Sequence, residues 1–136
     1  MPVFTTIIRA SIVTFATTAA IAQAAAVDEL LQEFRAQGAR DFNAAAGEKF
    51  WHQSFKDPKG GEDRRCDLCH TNDLRATGKH VVTGKAIKPL APSVNPERLS
   101  DKSKIEKWLD RNCKWTAGRA CTPQEKGDVL TMLRNK

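Results

Sequence analysis

Tyrosine is absent from the 136 residues, aromatic side chains of every kind make up 7%, and hydrophobic residues reach only 40%. That poverty excludes a deep, self-sufficient core. A chain of this length holds one small domain, and a thin core at this size needs a staple such as a disulfide, a metal or a cofactor. Methionine is almost missing as well, with Met1 and Met132 the only two. No internal repeat, low-complexity tract or second domain is visible, and no stretch is patterned as a strand long enough to found a sheet. Acidic residues are the scarcer charge, 16 against 22 Lys and Arg. The resulting +6 permits nucleic acid, an anionic membrane or an acidic protein partner, and position has to choose among them.

Charge is also missing from the start of the chain. Arg9 is the one charged residue between Met1 and Val27, and the apolar stretch after it ends in Ala22-Gln23-Ala24. A basic n-region, an uncharged h-region and a small-x-small sequence predict a signal peptide over residues 1–24, cleaved near Ala24, with the folded domain at 25–136. The competing reading is a membrane anchor, since Ala10 to Val27 could nearly span a bilayer. The stretch is rich in Thr and Ala rather than Leu and Ile, and no basic cluster follows it, so no stable membrane anchor is expected. Loss of Arg9 would lower the charge to +5. Export to the periplasm argues against a nucleic-acid role and makes disulfides permissible.

The remainder reads as helices. Val27, Leu30, Leu31 and Phe34 recur at i, i+3, i+4 and i+7 with Gly38 just beyond, predicting an amphipathic helix over 28–37. A second helix is expected from Asp41 to Phe55, carrying Ala45, Phe50, Trp51 and Phe55, and broken by Asp57-Pro58-Lys59-Gly60-Gly61. Lys79 to Pro96, punctuated by Gly84, Pro89 and Pro92, reads as an irregular loop with at most an extended turn at Val81-Val82. A third helix spans Asp101 to Asn112 with Ser100 as its cap. The last runs from Pro123 to Leu133 behind a Thr122-Pro123-Gln124-Glu125 capping box and buries Val129, Leu130, Met132 and Leu133. The class is all-α.

Chemistry is carried by Cys66-Asp67-Leu68-Cys69-His70, a C-x-x-C-H motif. In an exported chain this spacing lets both thiols add to the vinyl groups of one covalently bound haem c while His70 lies under the iron as proximal ligand. A thioredoxin-like redox pair would sit beside a βαβ pattern, which is missing. Half of a zinc site would need two more ligands, nominally Cys113 and Cys121. Those two cysteines, between two helices in an oxidising compartment, are read instead as a structural disulfide worth about 2–3 kcal/mol, with a reactive dithiol as the alternative.

The distal side of the iron has several candidates. Met132 lies on the apolar side of the last helix and reads as core, while His52 and His80 read as surface or hydrogen-bonding histidines. Ile105, Trp108 and Leu109 mark one face of the third helix, and its i+7 position is Asn112. An amide on a buried face needs a partner, which an iron would supply, but a helix cap would satisfy it equally well. Periodicity leaves both readings open.

The order C-x-x-C-H, a Gly/Pro-rich loop, Trp108-Leu109-Asp110-Arg111-Asn112-Cys113-Lys114-Trp115 and Cys121-Thr122-Pro123-Gln124-Glu125-Lys126 resembles the sphaeroides haem protein family of monohaem class I cytochromes c. The likeness covers most of the chain after residue 24. It implies an asparagine axial ligand at Asn112, a disulfide between Cys113 and Cys121, and release of the Asn on reduction so that oxygen, carbon monoxide or nitric oxide binds. It also implies a dihaem cytochrome c as redox partner. More broadly the chain is similar to class I cytochromes c, whose first and last helices cross beside the haem, but it lacks their distal Met before the last helix and an aromatic within that helix.

The expected function is therefore that of a periplasmic high-spin cytochrome that accepts electrons and, when reduced, binds a small diatomic ligand in a pocket walled by Ile105, Trp108 and Leu109. A low-spin shuttle with Met132 or His80 on the iron is the first alternative, and a haem enzyme acting on a small oxygen or nitrogen species is the second, although no distal acid–base pair is evident for it. Lys79, Lys85, Lys88, Lys102, Lys104 and Lys107 form a basic face able to steer an acidic redox partner.

Overall fold

The computed structural model describes the backbone of residues 16–136 and the side chains from residue 21 onward. The described residues form five helices and one minute hairpin: α1 (Ala16–Ala36), α2 (Ala44–His52), α3 (Asp67–His70), β1 (Gly78–Lys79), β2 (Ala86–Ile87), α4 (Lys102–Thr116) and α5 (Pro123–Leu133). The all-α expectation holds. The hairpin is an addition: Gly78 pairs with Ile87 and Lys79 with Ala86, so the loop expected to be irregular is closed by two antiparallel residue pairs, with Val81-Val82 in its turn.

α1 is longer than the apolar periodicity implies, because the Ala-rich residues ahead of Val27 are strong helix formers and continue it backwards. Val27, Leu30, Leu31 and Phe34 are buried as expected. The helix ends where Gly38 takes φ +97° and the Ala39 N–H reaches back to the Phe34 carbonyl, a left-handed glycine closure. Of the expected signal peptide, residues 1–15 lie outside the described residues.

α2 is shorter than expected at both ends. The Asn43 side chain caps it by accepting from the Ala45 and Ala46 N–H groups, and at the far end Phe55 leaves the helix to pair with Arg64 as an isolated antiparallel bridge. It is α2, rather than the first helix, that crosses α5 most closely. Gly47 makes the crossing possible: a Cβ there would lie 2.2 Å from the Asp128 carbonyl oxygen. Gly127 on α5 is likewise covered by the Phe42 ring. Asp128 is buried at this crossing and accepts hydrogen bonds from the Asn43 N–H (2.7 Å) and the Gln124 amide (3.0 Å), so its carboxylate is not left unsatisfied.

Two apolar clusters result. One joins Val27, Leu30, Leu31 and Phe34 of α1 to Ile105 of α4 and Leu130 of α5. The other joins Trp51, Leu74, Ala91, Val129, Met132 and Leu133, and Leu99 and Leu109 pack against both. Lys102 ties α4 to α1 through Glu29 and Glu33, and Arg134 ties the end of α5 to Asp28. The capping box ahead of α5 forms as expected: Thr122 accepts from the Glu125 N–H and Glu125 reaches back to the Thr122 N–H.

Candidate haem site

The C-x-x-C-H motif forms one short helix, α3, so Cys66 and Cys69 lie a turn apart and His70 follows directly. Thr71 then turns the chain at φ +63°, a left-handed conformation that a β-branched residue rarely adopts. β1 packs against this turn so closely that a Cβ on Gly78 would lie 2.2 Å from the Cys69 carbonyl oxygen. Asp67, inside the motif, accepts from His52 Nδ1 (2.8 Å) and from Arg65 Nε (2.9 Å), which ties α3 to the end of α2.

Electrostatics separates the readings left by the sequence. Burial pushes the Cys66 thiol up to about 12, with the Asp67 carboxylate adding and a hydrogen bond with Thr116 opposing. Reactive redox cysteines show the opposite shift, so Cys66 is unsuited to start thiol exchange. Cys113 and Cys121 are joined in a disulfide with Cα atoms 5.6 Å apart, as expected, and so cannot complete a zinc site. Burial first, and the Arg98 charge second, push His70 down to about 4, so its imidazole is neutral at ordinary pH.

The residues present fit a haem. Two thiols and a neutral imidazole stand on one turn, the donor set a covalently linked haem requires. Trp51 packs its indole against the His70 ring with centroids 5.4 Å apart. Its Nε1–H is buried with no acceptor among the described residues, a donor that such a wall otherwise leaves unexplained.

α4 departs from expectation in three ways. Its cap is Asp101, which accepts from the Lys104 N–H, while Ser100 bonds instead to the Glu97 carbonyl. It continues past Asn112 to Thr116. Most important, Asn112 does not continue the buried face. The inward positions are Ile105, Leu109, Cys113 and Thr116, because the disulfide cysteine at i+4 from Leu109 takes the place that the apolar pattern assigned to the amide. Trp108, 48% exposed, and Asn112 stand together beside that face on the exposed side, so the expected pocket is not one apolar wall: Ile105 serves the α1 contact, Leu109 bridges the two clusters, and only Trp108 accompanies the amide.

What the sequence did not disclose is how this side of α4 meets α3. Thr116, one turn beyond Asn112, lies close enough to Cys66 for its side chain to oppose the thiol's upward shift. Arg64 donates to the Trp115 carbonyl (2.7 Å) and stacks over the Trp115 ring. The stripe Trp108, Asn112, Thr116 thus ends on the haem-attachment motif, and the i, i+4, i+8 spacing was the available signal. The other iron-ligand candidates are engaged elsewhere. Met132 is fully inside the second cluster, and His80 Nδ1 accepts from the Val82 and Thr83 N–H groups in the hairpin turn. His52 is held between Asp67 and Glu48.

Comparison with known proteins follows this geometry. A family described as a domain of unknown function, DUF1924, matches residues 37–133. The cytochrome c-type protein SHP of Cereibacter sphaeroides is 50% identical over 68 residues, 50% of this chain and 52% of that protein. Cytochrome c'' of Methylophilus methylotrophus is 41% identical over 87 residues, 64% of this chain and 60% of that one. The matched stretches therefore span between half and two thirds of these curated relatives. The crystal structure of oxidised cytochrome c'' superposes with a TM-score of 0.73 at 30% identity, covering 86% of this chain and 96% of the other. Oxidised SHP, described as an oxygen-binding cytochrome c, gives 0.69 at 34% identity over 81% and 96%. The solution structure of cytochrome c'', described in terms of haem-ligand detachment, gives 0.63 at 31% identity over 90% and 96%.

Proposed function

The chain belongs to the family of the cytochrome c-type protein SHP and cytochrome c'', is a c-type cytochrome carrying covalently bound haem c, and on that premise we propose that it is a periplasmic, redox-gated ligand-binding cytochrome whose distal iron ligand is Asn112. The observation that carries this is the α4 stripe. Asn112 stands one helical turn from Thr116, whose side chain lies beside Cys66, so the amide lies on the side of α4 that meets the haem-attachment turn.

Cys66 and Cys69 would hold the haem through thioether links, and His70 would present its neutral nitrogen to the iron. When bound, haem supplies a one-electron couple and a sixth coordination position. An amide oxygen is a hard, weak, neutral donor that suits ferric iron better than ferrous, so Asn112 would hold a ferric iron more firmly than a ferrous one. Trp108 beside it would give the position an apolar wall, and an unligated amide N–H would be able to hydrogen-bond a small neutral diatomic molecule. Oxygen binding by SHP and haem-ligand detachment in cytochrome c'' support the same behaviour here. Export by residues 1–24 to the periplasm, and electron delivery by a dihaem cytochrome c, complete the reading.

Absorption spectra of the purified protein, oxidised and reduced, with and without carbon monoxide, test it. The expected result is a ferrous spectrum that shifts fully with carbon monoxide and a ferric spectrum that does not. A reduced protein indifferent to carbon monoxide would instead indicate a permanent sixth ligand and overturn the reading.

A further inference from the structure

The tip of the hairpin carries none of the haem-attachment residues, yet it is apolar and exposed. Val81 is 51% and Val82 74% exposed, two adjacent β-branched side chains offered to solvent. Their turn is fixed from within, since His80 Nδ1 accepts from both the Val82 and Thr83 N–H groups and Gly84 N–H returns to the His80 carbonyl. At its base the hairpin is pinned to the motif by Gly78, and at its side the His80 ring lies 6.2 Å from that of Trp115. A preformed apolar point beside a redox centre is what a contact surface requires.

Its charge is equally one-sided. Between Asp73 and Glu97 the sequence has no acidic residue but carries Arg75, Lys79, Lys85 and Lys88. Among the described residues Lys79, Lys85 and Lys88 are exposed and paired with no carboxylate. On α4, Lys102 is clamped by Glu29 and Glu33 and Lys104 pairs with Asp101, while Lys107 is exposed and in no ion pair among the described residues. Of the basic face read from the sequence, the hairpin keeps three unpaired lysines close together and with no acidic residue between Asp73 and Glu97, whereas α4 keeps Lys107 alone, beside Glu106 in sequence.

We propose that the Val81–Val82 tip with its Lys79, Lys85 and Lys88 rim is the docking surface for an acidic electron-donor protein. The inference rests on the reading of this chain as an electron-accepting cytochrome. Two valines make a small patch, matched to the brief, weak encounters of redox partners, in which charge sets the association rate. The same two valines, without Trp, Phe or Leu, are too little apolar surface to hold a membrane.

Stopped-flow reduction of the oxidised holoprotein by reduced flavodoxin, an acidic one-electron donor, tests the surface, with free reduced riboflavin as a small donor that needs no docking. The triple variant K79E/K85E/K88E should slow reduction by flavodoxin about tenfold or more at low salt and flatten its salt dependence. V81S/V82S should slow it several-fold while keeping the salt dependence. K104E/K107E should stay within about twofold of the parent. All variants should be reduced by riboflavin at the parent rate, which also reports an intact haem site. Unchanged flavodoxin rates in the hairpin variants with normal riboflavin reduction would overturn the docking surface alone. Failure of the parent to be reduced by either donor would overturn the electron-accepting reading beneath it. Sedimentation with phosphatidylglycerol vesicles, lost in the same hairpin variants, would assign the tip to a membrane and equally overturn the proposal.

Discussion

At the scale of single residues, Asn112 carries the functional reading and His52 the clearest titration. Replacing Asn112 with Val keeps side-chain bulk and removes the amide oxygen, so the ferric spectrum should move to that of an open or water-filled site while the ferrous carbon monoxide complex still forms. A ferric spectrum identical to the parent's would remove this residue from the iron. His52 titrates above the ordinary imidazole range chiefly because the Asp67 carboxylate accepts from it, with burial opposing and Glu48 adding. The fold favours its charged form. Its contribution is fully present below pH 6.5, the ordinary value, and is lost as pH rises through the raised one. Because the ring is 39% exposed, the effect is screened to below about 1 kcal/mol. Thermal midpoints of the oxidised protein and of His52→Gln, compared from about pH 5.5 to pH 8.5, should differ most at the acid end and converge at the alkaline end. A difference that is the same at every pH would show that the ion pair is not its origin.

Among elements, the α2–α5 crossing and the end of α4 determine where the site can be. Gly47→Ala would drive a methyl into the Asp128 carbonyl, a backbone atom that cannot swing aside. We expect a loss of about 3 kcal/mol in chemical denaturation, and an unchanged midpoint would mean that the helices separate freely. The Cys113–Cys121 disulfide joins the last turn of α4 to the start of α5, directly after Asn112. Removing it in the C113S/C121S double variant should cost about 2–3 kcal/mol with the helical content intact at room temperature. Equal denaturation midpoints for parent and variant would contradict that. α4 also marks the limit of pattern reading. Ile105, Trp108, Leu109 and Asn112 fit one helical face on paper, but Cys113, which hydropathy treats as one more small apolar residue, takes the inward position and turns Trp108 and Asn112 outward.

For the molecule as a whole, a thin core divided into two clusters makes folding dependent on its staples. Preventing attachment with C66A/C69A should therefore weaken or abolish the cooperative thermal transition and the near-ultraviolet circular dichroism, and an apoprotein that melts like the holoprotein would show the core to be sufficient. The C-x-x-C-H motif, the capped last helix, the glycine that ends α1 and the all-α class were all settled within the sequence, because each depends on contacts between residues a few positions apart. Which helix crosses α5 was decided only in three dimensions, by an approach that Gly47 alone permits. So were the closure of the hairpin on Cys69 and the meeting of Thr116 with Cys66. These are contacts between residues tens of positions apart, and local periodicity records that a side chain has an apolar neighbour without recording which one it meets.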